Sequence, residues 1–116
     1  MFCSAFSVTK TDVRFIRGKG DLKSFSHHQT TASGNTMSNY FCNTCGVLMY
    51  RVSSGFPALL LIRLGPVDDF RLAETKLKPD MEVFTGTRVA WLPSVEGAAQ
   101  FDQVLRIEDT EASPVV

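Results

Sequence analysis

The sequence contains few of the residues that form disulfides or bind metals, with three cysteines and two histidines among 116 residues. So small and odd a number of cysteines excludes a disulfide framework and is typical of proteins from a reducing compartment. Neither positive nor negative charge is in excess, since the sequence has twelve basic and twelve acidic residues. Without a broad positive field to attract phosphates, we expect no nucleic-acid partner.

Long apolar runs are also missing. The longest, residues 57–62, is far shorter than the ~20 residues that a membrane-spanning helix needs. The first residues lack the basic and apolar regions of a signal peptide. We therefore expect no membrane partner and a cytoplasmic location.

The composition that is present, 44% hydrophobic and 21% charged, is typical of one globular domain. We assign this domain to residues 1–105. Residues 106–116 combine acids with Ser113 and Pro114, and we predict a disordered tail there.

Short stretches of aromatic and β-branched residues, separated by Gly, Asn, Ser and Pro, predict strands. The predicted strands cover residues 5–9, 13–17, 22–26, 37–41, 47–52, 59–64 and 82–85. Helix is limited to a turn near residues 67–72 and a short segment at 97–104 with one apolar face. The fold class is therefore mainly β, a small antiparallel sheet with little helix.

The motif richest in chemistry is Cys42-x-x-Cys45-Gly46. A redox C-x-x-C begins a helix, whereas the residues that follow Gly46 are predicted to form a strand. A zinc knuckle lies in a turn between strands, where glycine supplies the backbone freedom. We interpret Cys42 and Cys45 as zinc ligands, with two ordinary packed thiols as the alternative.

Zinc requires four ligands, and the motif supplies two. The sequence offers Cys3, His27 and His28 for the rest. Adjacent histidines on a strand point to opposite faces, so at most one of them can face a given site. A site built from Cys3, one histidine, Cys42 and Cys45 is chemically possible, although no known motif matches it.

Three residues are candidates for acid or base catalysis: His27, His28 and Asp68. For the Asp68-Asp69 pair, the alternative is that a carboxylate caps the helical turn that follows.

Several motifs together carry a resemblance that extends from Ser4 to about Asp102. They are Ser-Ala-Phe-Ser at 4–7, Leu-Lys-Ser-Phe at 22–25, Ser-Gly-Asn at 33–35, Phe-Cys-x-x-Cys-Gly at 41–46, Gly65 with Asp68-Asp69, and Trp91. In this order, the sequence resembles the glutathione-dependent formaldehyde-activating enzyme and centromere protein V family.

The resemblance implies a tent-like β fold built on a zinc knuckle and a carbon–sulfur lyase type of activity, the reversible addition of glutathione to formaldehyde. It implies a zinc cofactor and a small-molecule substrate that is a thiol adduct or related carbonyl compound. Cys42 and Cys45 match the downstream half of the family's first zinc site. The family's N-terminal cysteine clusters have no counterpart here, which we interpret either as a start drawn downstream of them or as their loss.

Two other functions stay open from the sequence. One is a metal-poor isomerase, cyclase or lyase of a biosynthetic pathway that uses the β pocket on a small molecule. The other is a non-catalytic binding module. Missing N-terminal strands would leave a sheet edge open, so a homodimer is a further expectation.

Overall fold

The computed structural model describes residues 2–29, 31 and 33–103. Its main feature is a five-stranded antiparallel sheet with the strand order β1-β5-β4-β3-β2. The five strands are β1 (Ala5–Thr9), β2 (Leu22–His27), β3 (Met37–Cys42), β4 (Leu48–Ser53) and β5 (Leu59–Arg63). Each lies within two residues at either end of a predicted strand, so the mainly β fold class is confirmed.

Helix in these residues consists of four 3₁₀ segments: Lys10–Asp12, Lys19–Asp21, Phe70–Glu74 and Thr85–Thr87. In the part of the chain that the structure describes, no helix has the length and hydrophobicity to span a bilayer. The turn predicted near 67–72 forms as the third of these segments. Asp69 caps it, since its carboxylate accepts a hydrogen bond from the Arg71 backbone N–H at 3.2 Å.

The predicted strand at 13–17 is wrong. After the first 3₁₀ segment, this part of the chain pairs with no strand. Phe15 instead lies edge-on to Tyr50 of β4, with ring centroids 6.0 Å apart, and the Lys19 ammonium lies 4.9 Å from the Phe15 ring centroid. Packing of the aromatic ring onto a sheet face replaces strand pairing here.

The helix predicted at 97–104 is also wrong for residues 97–103, the part of it that the structure describes. Two short parallel strands form instead, β6 (Met81–Glu82) and β7 (Ala99–Gln100). The Ala99 N–H donates to the Asp80 carbonyl and the Phe101 N–H donates to the Glu82 carbonyl, both at 2.9 Å. These bonds satisfy backbone groups that a helix would have used internally. The strand predicted at 82–85 ends early because Phe84 adopts a positive φ of 57°.

The core lies on one face of the five-stranded sheet. Leu60 and Leu64 are the buried apolar side chains among the described residues, 4% and 8% exposed. Tyr40 and Tyr50 stack on the same face, with ring centroids 4.7 Å apart and planes 15° apart. The predicted domain boundary at residue 105 and the predicted tail at 106–116 lie outside the described residues.

Candidate functional site

The Cys42–Cys45 motif forms the turn between β3 and β4. The Cys42 N–H donates to the Val47 carbonyl, and the Gly46 N–H donates to the Cys42 carbonyl, both at 2.9 Å. Gly46 has a φ of 76°, in the left-handed region that side chains with a Cβ rarely adopt. The glycine after the second cysteine therefore lets the chain turn back into β4.

This turn directs backbone N–H groups toward the Cys42 sulfur. The Thr44 N–H donates to Cys42 Sγ at 3.4 Å. Hydrogen bonds from the Cys45 backbone, and then from the Thr44 backbone, hold the pKa of the Cys42 thiol below its usual value. Because these donors stabilise the anion, Cys42 is a thiolate over a wider pH range than an ordinary cysteine.

A β-bulge lies beside the turn. Tyr40 pairs with Tyr50 but Phe41 pairs with Leu48, so Met49 is an extra residue in β4. Consecutive residues in a regular strand point to opposite faces, and a bulge relaxes this alternation. Leu48 and Met49 both line the cavity next to the turn as a result.

That cavity has a volume of about 720 Å³, is open to solvent, and has mostly apolar walls. Its lining residues are Cys3, Ser4, Cys42, Cys45, Val47, Leu48, Met49, Arg63, Gly65 and Pro66. Cys3 is placed there by the chain just before β1, where the Ser4 carbonyl accepts a hydrogen bond from the Leu64 N–H at 3.2 Å. All three cysteines of the sequence thus line one cavity.

The cavity lining does not meet the requirements of zinc. Among the residues that the structure describes, no group of three or more His, Cys, Asp or Glu side chains is placed to hold a metal ion. Cys42 and Cys45 place two thiols in this turn, whereas zinc needs four ligands. The described residues of one chain therefore do not fit a complete zinc site.

The three predicted acid–base candidates lie away from the cavity lining. His27 pairs with Met37, whereas Cys42 pairs with Leu22 at the other end of β2. His27 is five positions along the strand from Leu22, which is roughly 17 Å. His27 stacks on Phe25 at a centroid distance of 5.9 Å, and His28 and Asp68 are exposed. The structure does not bring these candidates together with Cys42 and Cys45.

The sequence analysis missed Arg63, the cationic residue of the cavity lining, and its neighbour Arg51. Arg51 lies in β4 and Arg63 ends β5, each as the one charged residue of its strand. Only the strand register shows that the two arginines are neighbours.

The fold and the site define a small antiparallel β protein with a cysteine-lined cavity at one end of its sheet. A family model of the glutathione-dependent formaldehyde-activating enzyme matches residues 1–87, which is most of the chain and includes the whole five-stranded sheet. The chain belongs to this family. No curated protein and no solved structure gave a match.

Proposed function

We propose that the protein is a carbon–sulfur lyase-like enzyme that forms or cleaves the adduct between a thiol and a small carbonyl compound. The observation that carries this proposal is the convergence of Cys3, Cys42 and Cys45 on one cavity. Membership of the formaldehyde-activating family supports the same reaction class. In the forward direction, the thiol sulfur bonds to the carbonyl carbon and the thiol proton passes to the carbonyl oxygen.

The cavity suits a small substrate with a sulfur atom. Val47, Leu48 and Pro66 contribute apolar walls that can contact the apolar part of a small substrate. The three thiols line the same cavity. A substrate sulfur bound there would therefore contact polarizable sulfur atoms and the N–H groups near Cys42. Binding of this kind positions the thiol before it meets the carbonyl carbon.

We further propose that Cys42 and Cys45 bind zinc. Two thiolates in a turn with N–H groups directed at sulfur are typical zinc ligands. The remaining ligands must come from a second copy or from outside the described residues of this chain, because those residues supply no third ligand at this point. No step of the reaction is assigned to the metal.

The test is the exchange rate of glutathione and formaldehyde with their S-hydroxymethyl adduct, followed by NMR with and without the protein. We expect acceleration by the wild type and a loss of about 100-fold in Cys42→Ser, the scale of one essential catalytic group. Ser26→Ala is the control, since the Ser26 hydroxyl bonds to the Ser38 hydroxyl on a part of the sheet away from the cavity lining. Equal rates for wild type and Cys42→Ser would remove the cysteine site from the proposal.

A further inference from the structure

Arg51 and Arg63 lie on one face of the main sheet, in the neighbouring strands β4 and β5. Arg51 pairs with Leu61, and Leu61 lies two residues before Arg63. Because strand residues two apart point to the same face, both arginines lie on the face opposite the stacked Tyr40 and Tyr50. Diagonal neighbours of this kind have Cα atoms about 7–8 Å apart, within reach of side chains as long as arginine. We call these two side chains the arginine patch.

The arginine patch lacks a counter-charge in the part of the chain that the structure describes. The ion pairs found there use Arg71 and Arg88 instead. Both side chains of the patch are half-buried, and their Nε atoms are buried without a hydrogen-bond partner among the described residues. Adjacent like charges that are partly removed from water cost stability, so an anion at the patch is favoured.

The arginine patch borders the cysteine-lined cavity, which Arg63 lines together with Cys3. Burial, and next the positive charge of Arg63, lower the pKa of Arg51, while the charge of the Cys3 thiolate acts in the opposite direction. Arginine keeps its proton in proteins, so the two positive charges persist side by side at the edge of the cavity.

The chain itself carries a segment of the opposite charge. Three of its twelve acidic residues are Glu108, Asp109 and Glu111, so the rest of the chain has an excess of positive charge. The segment follows Gln103, whose carbonyl accepts a hydrogen bond from the Phe84 N–H at 3.2 Å. At full extension, Glu111 can lie about 28 Å from Gln103, and the molecule measures 37 × 35 × 29 Å. The acidic segment can therefore reach much of the protein surface.

The arginine patch suits these carboxylates better than the exposed basic loop does. Arg14, Arg17 and Lys19 of that loop are exposed, and water screens ion pairs at such positions. In the patch, two half-buried guanidinium groups lie together, and each has a planar fork of N–H donors that matches a carboxylate.

We propose that the acidic segment, residues 108–111 of the same chain, binds the arginine patch through its carboxylates and thereby covers one border of the cysteine-lined cavity. Bound there, the segment competes with small anions that approach Cys3 and Arg63. The contact requires no secondary structure in residues 106–116, so it is compatible with the tail predicted there. The proposal goes beyond the proposed function and does not depend on the reaction that takes place in the cavity.

The first test compares two variants of the full chain by NMR, in which arginine Nε–H groups give their own signals. The acidic-segment variant carries three substitutions: Glu108→Gln, Asp109→Asn and Glu111→Gln. The matched control removes the same charge at three exposed positions of the described chain: Glu74→Gln, Asp80→Asn and Glu96→Gln.

We expect the Nε–H signals of Arg51 and Arg63 to shift in the acidic-segment variant and to stay in place in the control, because loss of a charged acceptor changes the donor. Shifts confined to Arg14 and Arg17 would place the segment on the exposed loop and overturn the proposal, as would the absence of any shift. Both arginines of the patch are intact in this test, so its result does not depend on whether an arginine variant folds.

The second test measures the access of anions to the cavity. Cys3 is exposed and lines the cavity with Arg63, so we use its alkylation rate, read by mass spectrometry of the Cys3 peptide. Iodoacetate is an anion, and iodoacetamide is its neutral analogue. The acidic-segment variant should react with iodoacetate at least about threefold faster than the wild type, because the uncovered patch attracts the anion. Its rate with iodoacetamide should be unchanged, and the control variant should react like the wild type with both reagents.

Arginine substitutions show whether the patch causes this gain in rate. In a chain with Arg51→Met and Arg63→Met, neutralising the acidic segment should no longer accelerate the reaction with iodoacetate, whereas the gain should persist with Arg14→Met and Arg17→Met. An equal gain with iodoacetamide, or a gain that persists without Arg51 and Arg63, would overturn the proposal. Neither test measures the exchange of glutathione and formaldehyde, so failure of the proposed function leaves these results unaffected.

Discussion

At the scale of single residues, Gly46 and Cys42 have different parts in the cysteine turn. Gly46 supplies the backbone conformation that closes the turn, and Cys42 receives the N–H groups that the closed turn directs toward its sulfur. The hydrogen bonds that lower the pKa of Cys42 come from Cys45 and Thr44, which lie within the turn that Gly46 closes. A change at Gly46 therefore tests the turn without removing a thiol.

We predict that Gly46→Ala lowers the free energy of unfolding by ~1–2 kcal/mol, the cost of placing a residue with a Cβ in the left-handed region. A Cβ at this position would meet no atom within 4 Å, so the cost is conformational. Urea unfolding measures it. Gly20→Ala is the control, since a Cβ there also meets no atom within 4 Å and Gly20 lacks a positive φ. Equal effects at the two glycines would contradict this explanation.

At the scale of elements, the Glu82 side chain connects β6 to its surroundings. Its Oε2 accepts hydrogen bonds from Gln100 Nε2 at 2.6 Å and from the Val95 N–H at 3.0 Å, and it lies 3.1 Å from the Arg88 guanidinium. The bond from Gln100, followed by that from Val95, lowers the pKa of Glu82. One carboxylate of β6 thus contacts β7, the backbone at Val95 and the side chain of Arg88.

We predict that the β6–β7 pairing weakens in acid. A carboxylate with a lowered pKa stabilises the folded state above its unfolded pKa of about 4.3, and this contribution is lost as pH falls through the lower folded value. Hydrogen-exchange protection of the Ala99 and Phe101 amides should therefore be reduced by Glu82→Gln at pH 7, and the difference from wild type should shrink toward pH 3. The exposed Glu74→Gln should show no such convergence, and a constant difference for Glu82→Gln would contradict the prediction.

The five strands of the main sheet could be predicted from the sequence, whereas the structure of two other segments could not. Short aromatic and β-branched stretches between turn residues located the five strands of the main sheet, because each strand is bounded by local signals. The errors at 13–17 and 97–104 arose where tertiary contacts decided the outcome: Phe15 packs on Tyr50, and Ala99 pairs with β6. Cys42 and Cys45 were recognisable from spacing alone.

The proximity of Arg51 and Arg63 could not be predicted from the sequence in the same way. The two residues lie twelve positions apart in the sequence, and their proximity depends on the pairing of Arg51 with Leu61. A shift of one residue in that register would place the two arginines on opposite faces. Local patterns do not determine register between strands to this accuracy.

At the scale of the whole molecule, the described residues bury little. Leu60 and Leu64 form the buried apolar core, while large side chains such as Phe25, Phe70 and Trp91 are more than half exposed. A bound structural zinc contributes on the order of 10 kcal/mol, comparable with the net stability of a domain. Cys45 is exposed and Cys42 is half-buried, so a zinc bound by both would lie at the surface, where a second copy could supply two more ligands.

We therefore predict a dimer that shares one tetrahedral zinc between the Cys42 and Cys45 pairs of two chains. Native mass spectrometry should give one zinc per two chains, and a chelator should yield monomers with a lower melting temperature, since the metal stabilises only the assembled state. Cys45→Ser should produce the same monomer without chelator, whereas Cys3→Ser should remain a zinc-bound dimer because Cys3 lies outside the C-x-x-C turn. A zinc-loaded monomer, or a dimer that survives chelation, would show that the missing ligands come from elsewhere.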